Sequence, residues 1–221
     1  MTRLRRLLDA YAISCSGRPP EASERILASY PDANTMNSVE RFRSAAEVAG
    51  RLVILASTCF VAQERSGQGL VVTWLKAQGI WSDVSPCERA FLEAQSASPA
   101  DEIAFSWNAE CVYFLGWALG LTTALKPPTE QASTGPILDR SPAPGESIAD
   151  FLRESVLRPI VEISAAVEAL HDAHASCRAA ASNRVPERHA YNLEVCQERH
   201  RAGNWLICYE DADWDKVPTD T

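Results

Sequence analysis

Two helix-start signals, thirteen residues apart, constrain the fold of this chain more than any other feature. Residues 85–88 read Ser-Pro-Cys-Glu and residues 98–102 read Ser-Pro-Ala-Asp-Glu. In each, the Ser hydroxyl and an acid three residues later can satisfy free amides of a first helical turn, and proline suits its first position. No stretch alternates as a strand does, and no Asn-Gly or Asp-Gly hairpin turn occurs. The sequence therefore predicts an all-α fold.

Apolar spacing and breaker residues divide the chain into helices and loops. Besides the helix starting at Pro86, the predicted helices cover residues 44–66, 70–78, 99–120, 148–181 with a break near Pro159, and 186–208. We expect a single compact helical domain of about six to eight helices at residues 44–221, interrupted by a proline-rich loop at 126–145. Residues 1–43 would form a peripheral N-terminal helical leader, and the chain would end in an irregular acidic tail.

The composition limits the partners and the compartment. A formal net charge of −8 and a pI near 5.1 argue against nucleic acid, because phosphates are neutralised by clustered Lys and Arg, and favour a basic protein. The longest apolar run, at 111–121, is about half of the roughly twenty residues that cross a bilayer, so no membrane contact is expected. Seven cysteines without a Cys-x-x-Cys pair predict buried thiols in a reducing cytoplasm.

A carboxylate lies within the aromatic stripe of the helix predicted at 99–120. At steps of four and three, that stripe consists of Ile103, Trp107, Glu110, Phe114 and Trp117. We therefore expect Glu110 to be buried, and a buried carboxylate needs a cation or hydrogen-bond donors. The candidate cations are Arg188 and Arg199.

Both arginines belong to a repeated triplet. Glu-Arg-His occurs at 187–189 and again at 198–200, and eleven residues correspond to three helical turns and about 20°. Two arrangements remain open. Either Glu110 contacts an arginine directly and fixes how the helices pack, or the polar groups surround a pocket that binds or hydrolyses a small molecule. The candidate pocket comprises Trp107, Glu110, Trp117, His174, Arg199, His200, Asn204 and Trp205.

Other site chemistries find little support in the sequence. His171 and His174 could share a helix face with Glu168 or Asp172, but a metal usually needs three or four convergent ligands. Cys196 and His200 have no orienting partner, and the glycine-rich loops that bind nucleotides are missing from the sequence. We expect no metal and no cofactor, and the sequence favours a protein without enzymatic activity.

Several motifs, taken in order, resemble those of one known family. They are the segments at 74–76 (Trp-Leu-Lys), 79–81 (Gly-Ile-Trp), 85–92, 105–110, 117–120 (Trp-Ala-Leu-Gly), 198–200, 204–206 and 213–221, which ends in Asp-Thr. Over roughly residues 44–221 the chain resembles the bacterial domain-of-unknown-function family 4272. The resemblance implies a mostly helical bacterial cytoplasmic protein of a family without an assigned activity. Gly203 departs from the family pattern, which has an aliphatic residue there.

Three functions are compatible with these features. The first is a non-catalytic protein-interaction module, such as a toxin-neutralising (immunity-like) or effector-modulating protein, because acidic inhibitors gain association rate against basic partners. Its candidate contacts are Glu210, Asp211, Asp213, Trp214, Asp215 and Asp220. The alternative is a small-molecule-binding or hydrolytic protein that uses a pocket around Glu110, His174, Arg199 and His200. A third possibility is a scaffold in a larger assembly, and the oligomeric state stays open.

Overall fold

The computed structural model describes residues 41–182 and 190–221, which form helices and loops without a strand. In chain order the helices are α1 (Ala45–Gln63), α2 (Gln68–Ala77), α3 (Pro86–Glu93), α4 (Pro99–Ser106), α5 (Asn108–Ala118), α6 (Ala149–Glu154), α7 (Ile160–Ala181) and α8 (Leu193–Leu206). One further helical turn, Gly135–Leu138, lies in the proline-rich loop. The predicted all-α class is confirmed. The leader up to residue 40 and the triplet at 187–189 lie outside the described residues.

The predicted helix starts are present with their caps. Ser44, Ser85 and Ser98 each accept a hydrogen bond from the amide three residues later, and the acid at that position accepts one from the amide of the serine. The stop predicted at Gly120 is also present, because this residue has a φ of +70°, which glycine adopts at little cost. Local sequence chemistry therefore fixes these helix ends.

Helix α5 lies at the centre of the fold, packed between α1 and α8, and α8 also packs against α7. The side chains of Phe114 and Leu115 in α5 are fully buried in the main core cluster. Helices α7 and α8 are antiparallel, since Val167 lies opposite Gly203 while Cys177 lies opposite Cys196. A Cβ on Gly203 would stand 2.9 Å from a methyl group of Val167. Glycine at this position therefore permits the close approach of the two helices.

The prediction of a single helix at 99–120 is wrong in one respect, because the segment is divided into α4 and α5 at Trp107. The Ser106 hydroxyl donates to the carbonyl oxygen of Ile103 at 2.7 Å, which competes with the helical bonding pattern. The buried amide of Asn108 then donates to Thr58 of α1 at 3.0 Å. The break turns α4 away from the predicted stripe, and Ile103 is 61% exposed rather than buried.

Helix α1 is the one described helix that is long and apolar enough to cross a membrane. Its most apolar window is 72% buried against the other helices, and its Arg51 is paired inside the protein. Both properties are those of the central helix of a folded domain.

Two segments at the margins of the core are held by specific contacts. Arg43, placed in the leader by the sequence, donates from its amide to the carbonyl oxygen of Leu206 at 2.9 Å, and Phe42 packs on the main core. In the proline-rich loop, Ile137 is buried against the same core. The residues just before α1 and the loop are therefore parts of the packed domain.

Candidate functional site

The pair formed by Glu110 and Arg199 lies at the centre of the candidate site. Glu110 is buried, as predicted, and its Oε2 accepts from Nε of Arg199 at 2.8 Å. Its Oε1 accepts from the amide of Ala132 at 2.8 Å, and Nη1 of Arg199 donates to the carbonyl oxygen of Lys126 at 2.7 Å. The pair therefore fastens α5, α8 and the proline-rich loop to one another.

Burial dominates the electrostatics of this pair. It raises the pKa of the Glu110 carboxyl above its usual value, although Arg199 and the amide of Ala132 act in the opposite direction. The Arg199 guanidinium also lies over the ring of Tyr113, with its carbon 4.7 Å from the ring centroid. Because both carboxylate oxygens already accept hydrogen bonds, this is the direct-contact arrangement of the two that the sequence left open.

A second polar contact joins His174 of α7 to His200 of α8. Their Nδ1 atoms are 3.2 Å apart and both side chains are buried, so one ring must donate and the other accept. Burial and the neighbouring His174 and His171 lower the pKa of His200 to about 4. Burial and Arg178 likewise lower the pKa of His174. At neutral pH this is an uncharged hydrogen bond between two helices.

The remaining predicted pocket residues lie in other contacts. Asn204 donates to the carbonyl oxygen of Pro218 at 2.9 Å and so fastens the C-terminal tail. Trp117 is buried beneath the guanidinium of Arg158, which lies 5.1 Å from its ring centroid. Trp107 is half-buried at the helix break. Asn204 also hydrogen-bonds to His200 and so joins the histidine contact to the tail, whereas Trp107 and Trp117 lie in packing contacts of their own.

Trp205 belongs to an aromatic and cationic cluster with the tail. Its ring meets that of Trp214 edge to face at 5.7 Å, and the guanidinium carbons of Arg43 and Arg51 lie 5.0 and 5.7 Å from its centroid. Arg201 stacks on Trp214 at 4.8 Å. Trp214, which the sequence offered as a candidate partner contact, is only 4% exposed, so it anchors the tail within the fold.

The sequence did not reveal a second buried ion pair, between Arg51 and Glu88. Nη1 of Arg51 donates to both carboxylate oxygens of Glu88, at 3.0 and 2.8 Å, and the side chains are 8% and 1% exposed. Glu88 also accepts from the amide of Ser85 at 2.8 Å. Arg51 stands beside Leu52 in the apolar stripe of α1, and this position was the available signal.

One of the acids predicted to contact a partner has an internal role. Oδ1 of Asp215 accepts from the Ser85 hydroxyl at 2.6 Å, and Oδ2 accepts from the amide of Cys87 at 2.9 Å. Partial burial acts to raise the pKa of Asp215, but these hydrogen bonds outweigh it and the pKa is lowered. The tail acid thus caps the start of α3. Asp211 forms an ion pair with Arg41, and Glu210, Asp213 and Asp220 are exposed.

The described residues contain no group of three or more His, Cys, Asp or Glu placed to hold a metal ion. His171 is exposed and contacts Asp172 at 3.4 Å, whereas His174 points into the interface with His200. The two histidines nevertheless share a helix face, because the ring centroid of His200 lies 5.5 Å from that of His171 and 5.4 Å from that of His174.

Comparison with protein families gives one match, to the family described as a domain of unknown function (DUF4272), over residues 26–217. The chain belongs to this family. The match begins earlier than the resemblance at 44–221, so part of the expected leader lies within the family region. Comparison with curated proteins and with solved structures found no match. Membership of this family therefore does not identify an activity for the chain.

Proposed function

We propose that this DUF4272 protein is a non-catalytic interaction module of the bacterial cytoplasm, whose acidic surface binds a basic protein such as a toxin or an effector. The observation that carries the proposal is the unequal placement of the charges. Of the 23 acidic residues described, 18 are exposed, whereas only seven of the 14 Lys and Arg are exposed. Among the described residues, the exposed surface is therefore more acidic than their total charge implies.

The internal arginines explain how this surface arises. Arg43, Arg65, Arg89 and Arg158 donate to backbone carbonyl oxygens, and Arg51 and Arg199 are buried with carboxylates. A guanidinium used in this way keeps its charge but presents few free donors at the surface, so the charged groups that a partner would meet directly are mostly carboxylates. An acidic surface of this kind accelerates encounter with a basic partner.

The C-terminal tail presents its exposed acids on a backbone that internal contacts hold in place. It exposes Glu210, Asp211 and Asp213 directly after α8. Buried Trp214 and the capping Asp215 fix the backbone beyond them. Holding charges on a fixed backbone lowers the ordering cost of binding.

The interior supports a non-catalytic role. Both oxygens of Glu110 are occupied by donors, so general acid or base chemistry there would first require its release from Arg199. A small-molecule or hydrolytic function would depend on such an opening.

The test is capture of the tagged protein from its native cells at low and high salt, followed by mass spectrometry. The test variant carries Glu210→Gln, Asp211→Asn and Asp213→Asn, and it keeps Asp215 because that residue caps α3. The matched control carries Glu130→Gln, Glu168→Gln and Glu194→Gln, three exposed acids outside the tail with the same total charge. We expect a stoichiometric basic protein with wild type and control, and a marked loss with the tail variant. Equal recovery with both variants, independent of salt, would contradict the proposal.

A further inference from the structure

The antiparallel pair α7 and α8 brings two cysteines together near the C-terminal end of α7 and the N-terminal end of α8. Cys177 lies in the last turns of α7 and Cys196 in the first turn of α8, and their sulfur atoms are 3.9 Å apart. A disulfide has a sulfur–sulfur bond of about 2.05 Å, so rotation of the two side chains must bring the sulfur atoms to that distance. To reach that bond length, each sulfur atom would have to move by less than the radius of a sulfur atom.

We propose that Cys177 and Cys196 form a reversible disulfide that ties the end of α7 to the start of α8. This inference is independent of the function proposed above. It assigns a covalent modification site to the helix pair that also carries His174 and His200. Tying these helix ends restricts the unfolded chain and so stabilises the folded one.

The surroundings of the pair show how a reagent reaches it. The two cysteines and Ala173 form a small apolar cluster apart from the main core, covered by half-buried Tyr191 and Leu193. Ends of helices and small peripheral clusters open with less free energy than a central core. The pair is therefore shielded in the closed state but placed where local opening occurs first.

The other described cysteines provide a contrast. Cys59 and Cys111 are buried within the central helices and bond to backbone carbonyl oxygens, and Cys87 is exposed at the start of α3. The contact between Cys177 and Cys196 is the one cysteine-to-cysteine contact recorded within 41–182 and 190–221. An exposed thiol such as Cys87 should instead carry a mixed disulfide when a small oxidant is in excess.

The oxidant we assign is a low-molecular-weight disulfide. One cysteine, as its thiolate, attacks a sulfur of this disulfide, forms a mixed disulfide and expels one small thiolate. The second cysteine attacks the protein sulfur of the mixed disulfide, closes the Cys177–Cys196 bond and expels the other. Two electrons pass from the protein to the oxidant, and the two thiol protons end on the two released thiols.

The exchange should be slow, because only the thiolate reacts. Burial raises the pKa of the Cys196 thiol to about 12, and the neighbouring Cys177 acts in the same direction. The experiment must therefore run to equilibrium rather than report an initial rate.

The test incubates the folded protein with an excess of glutathione disulfide well below its unfolding temperature, until the mass spectrum no longer changes. Free thiols are then alkylated in denaturant, and the protein is digested. We expect a peptide pair linked through Cys177 and Cys196, lost on treatment with dithiothreitol, while Cys87 carries glutathione. Finding both Cys177 and Cys196 alkylated, or each carrying its own glutathione, would overturn the proposal.

Matched variants exclude an unrelated linkage. Cys177→Ser should abolish the linked pair and leave a glutathione adduct on Cys196, whereas Cys87→Ser should leave the linked pair unchanged. The oxidised wild type should also unfold at a higher temperature than the reduced one, and the difference should vanish in Cys177→Ser. A lower unfolding temperature after oxidation would show that the fold does not accommodate the bond and would also overturn the proposal.

Discussion

Two buried ion pairs in the described part of the chain, Glu110–Arg199 and Glu88–Arg51, each join distant segments through a different set of hydrogen bonds. Glu110 receives one hydrogen bond from Arg199 and one from the loop amide of Ala132. Glu88 receives two hydrogen bonds from Arg51 and one from the amide of Ser85, close to the start of a helix. Both carboxylates lie in the first turn of a helix, where the N-terminus favours negative charge, but the side chain of Arg199 is fully buried whereas that of Arg51 is 8% exposed. Arg199 therefore depends more completely on its counter-charge.

The largest expected effect comes from breaking the more dependent pair. Glu110→Gln should lower the free energy of unfolding by about 3–5 kcal/mol, because it leaves an always-charged and fully buried Arg199 without a counter-charge. Urea unfolding measures the change. Glu168→Gln, at an exposed position, is the control and should change stability by less than about 0.5 kcal/mol. A loss for Glu110→Gln as small as this control would refute the assignment.

The second pair should be less sensitive to the same substitution. Glu88→Gln should cost about 1.5–3 kcal/mol, the range for hydrogen bonds to charged groups. Arg51 would keep its bond to the carbonyl oxygen of Asp83 and its position 5.1 Å from the Trp214 ring centroid. Unfolding of this variant beside Glu110→Gln compares the pairs directly. The comparison fails if Glu88→Gln proves the more costly of the two.

A smaller effect concerns the packing that positions Arg199. Gly203→Ala should lower stability by about 1–2 kcal/mol, because the added methyl group meets Val167 at 2.9 Å and a β-branched neighbour adapts poorly. Gly69→Ala is the matched control in α2. A Cβ added at Gly69 would have no atom within 4 Å apart from its neighbouring residues and the backbone of its own helix. The substitution should therefore raise the free energy of unfolding by about 0.4–1 kcal/mol. Thermal unfolding of both variants would show whether the close approach of α7 and α8 is real, since opposite signs are expected.

The smallest effect at neutral pH concerns the pair of histidines between the same helices. The pKa of His200 falls from 6.5 to about 4 on folding, so the unfolded chain binds more protons between these values. Stability should therefore fall as the pH is lowered from about 6.5 to about 4. The groups that face the pair are His171, Arg178, Asp220 and Asn204.

Urea unfolding over this pH range measures the effect. His200→Gln should flatten the dependence, while His171→Gln, at an exposed site, should keep most of it. An unchanged slope in His200→Gln would show that other groups cause the acid sensitivity.

The sequence could predict features that depend on neighbouring residues. The serine caps of α3 and α4, the stop at Gly120 and the burial of Glu110 follow from spacings of a few residues, and all are present. Because a buried carboxylate needs a cation, the sequence offered Arg188 and Arg199 as candidate partners of Glu110 beside the alternative of a polar pocket, and the structure pairs Glu110 with Arg199.

Features that depend on contacts between distant residues could not be predicted from the sequence. The break at Trp107 is stabilised by Asn108, which donates to Thr58 and accepts from Arg201, 93 residues away. Glu88 was already explained by its cap, so only the position of Arg51 beside the apolar stripe of α1 could have indicated this pair. Asp215 caps a helix 130 residues before it, which made a tail acid part of the core. Such contacts depend on the packing of whole helices.

The most direct test of the central proposal is the association rate constant of the purified basic partner with wild type, tail variant and matched control over a range of ionic strength. We expect a rate that falls steeply with salt for wild type and control, and for the tail variant a rate lower by about tenfold at low salt with a shallower salt dependence. Identical rates and salt slopes for all three proteins would contradict a function based on the acidic tail.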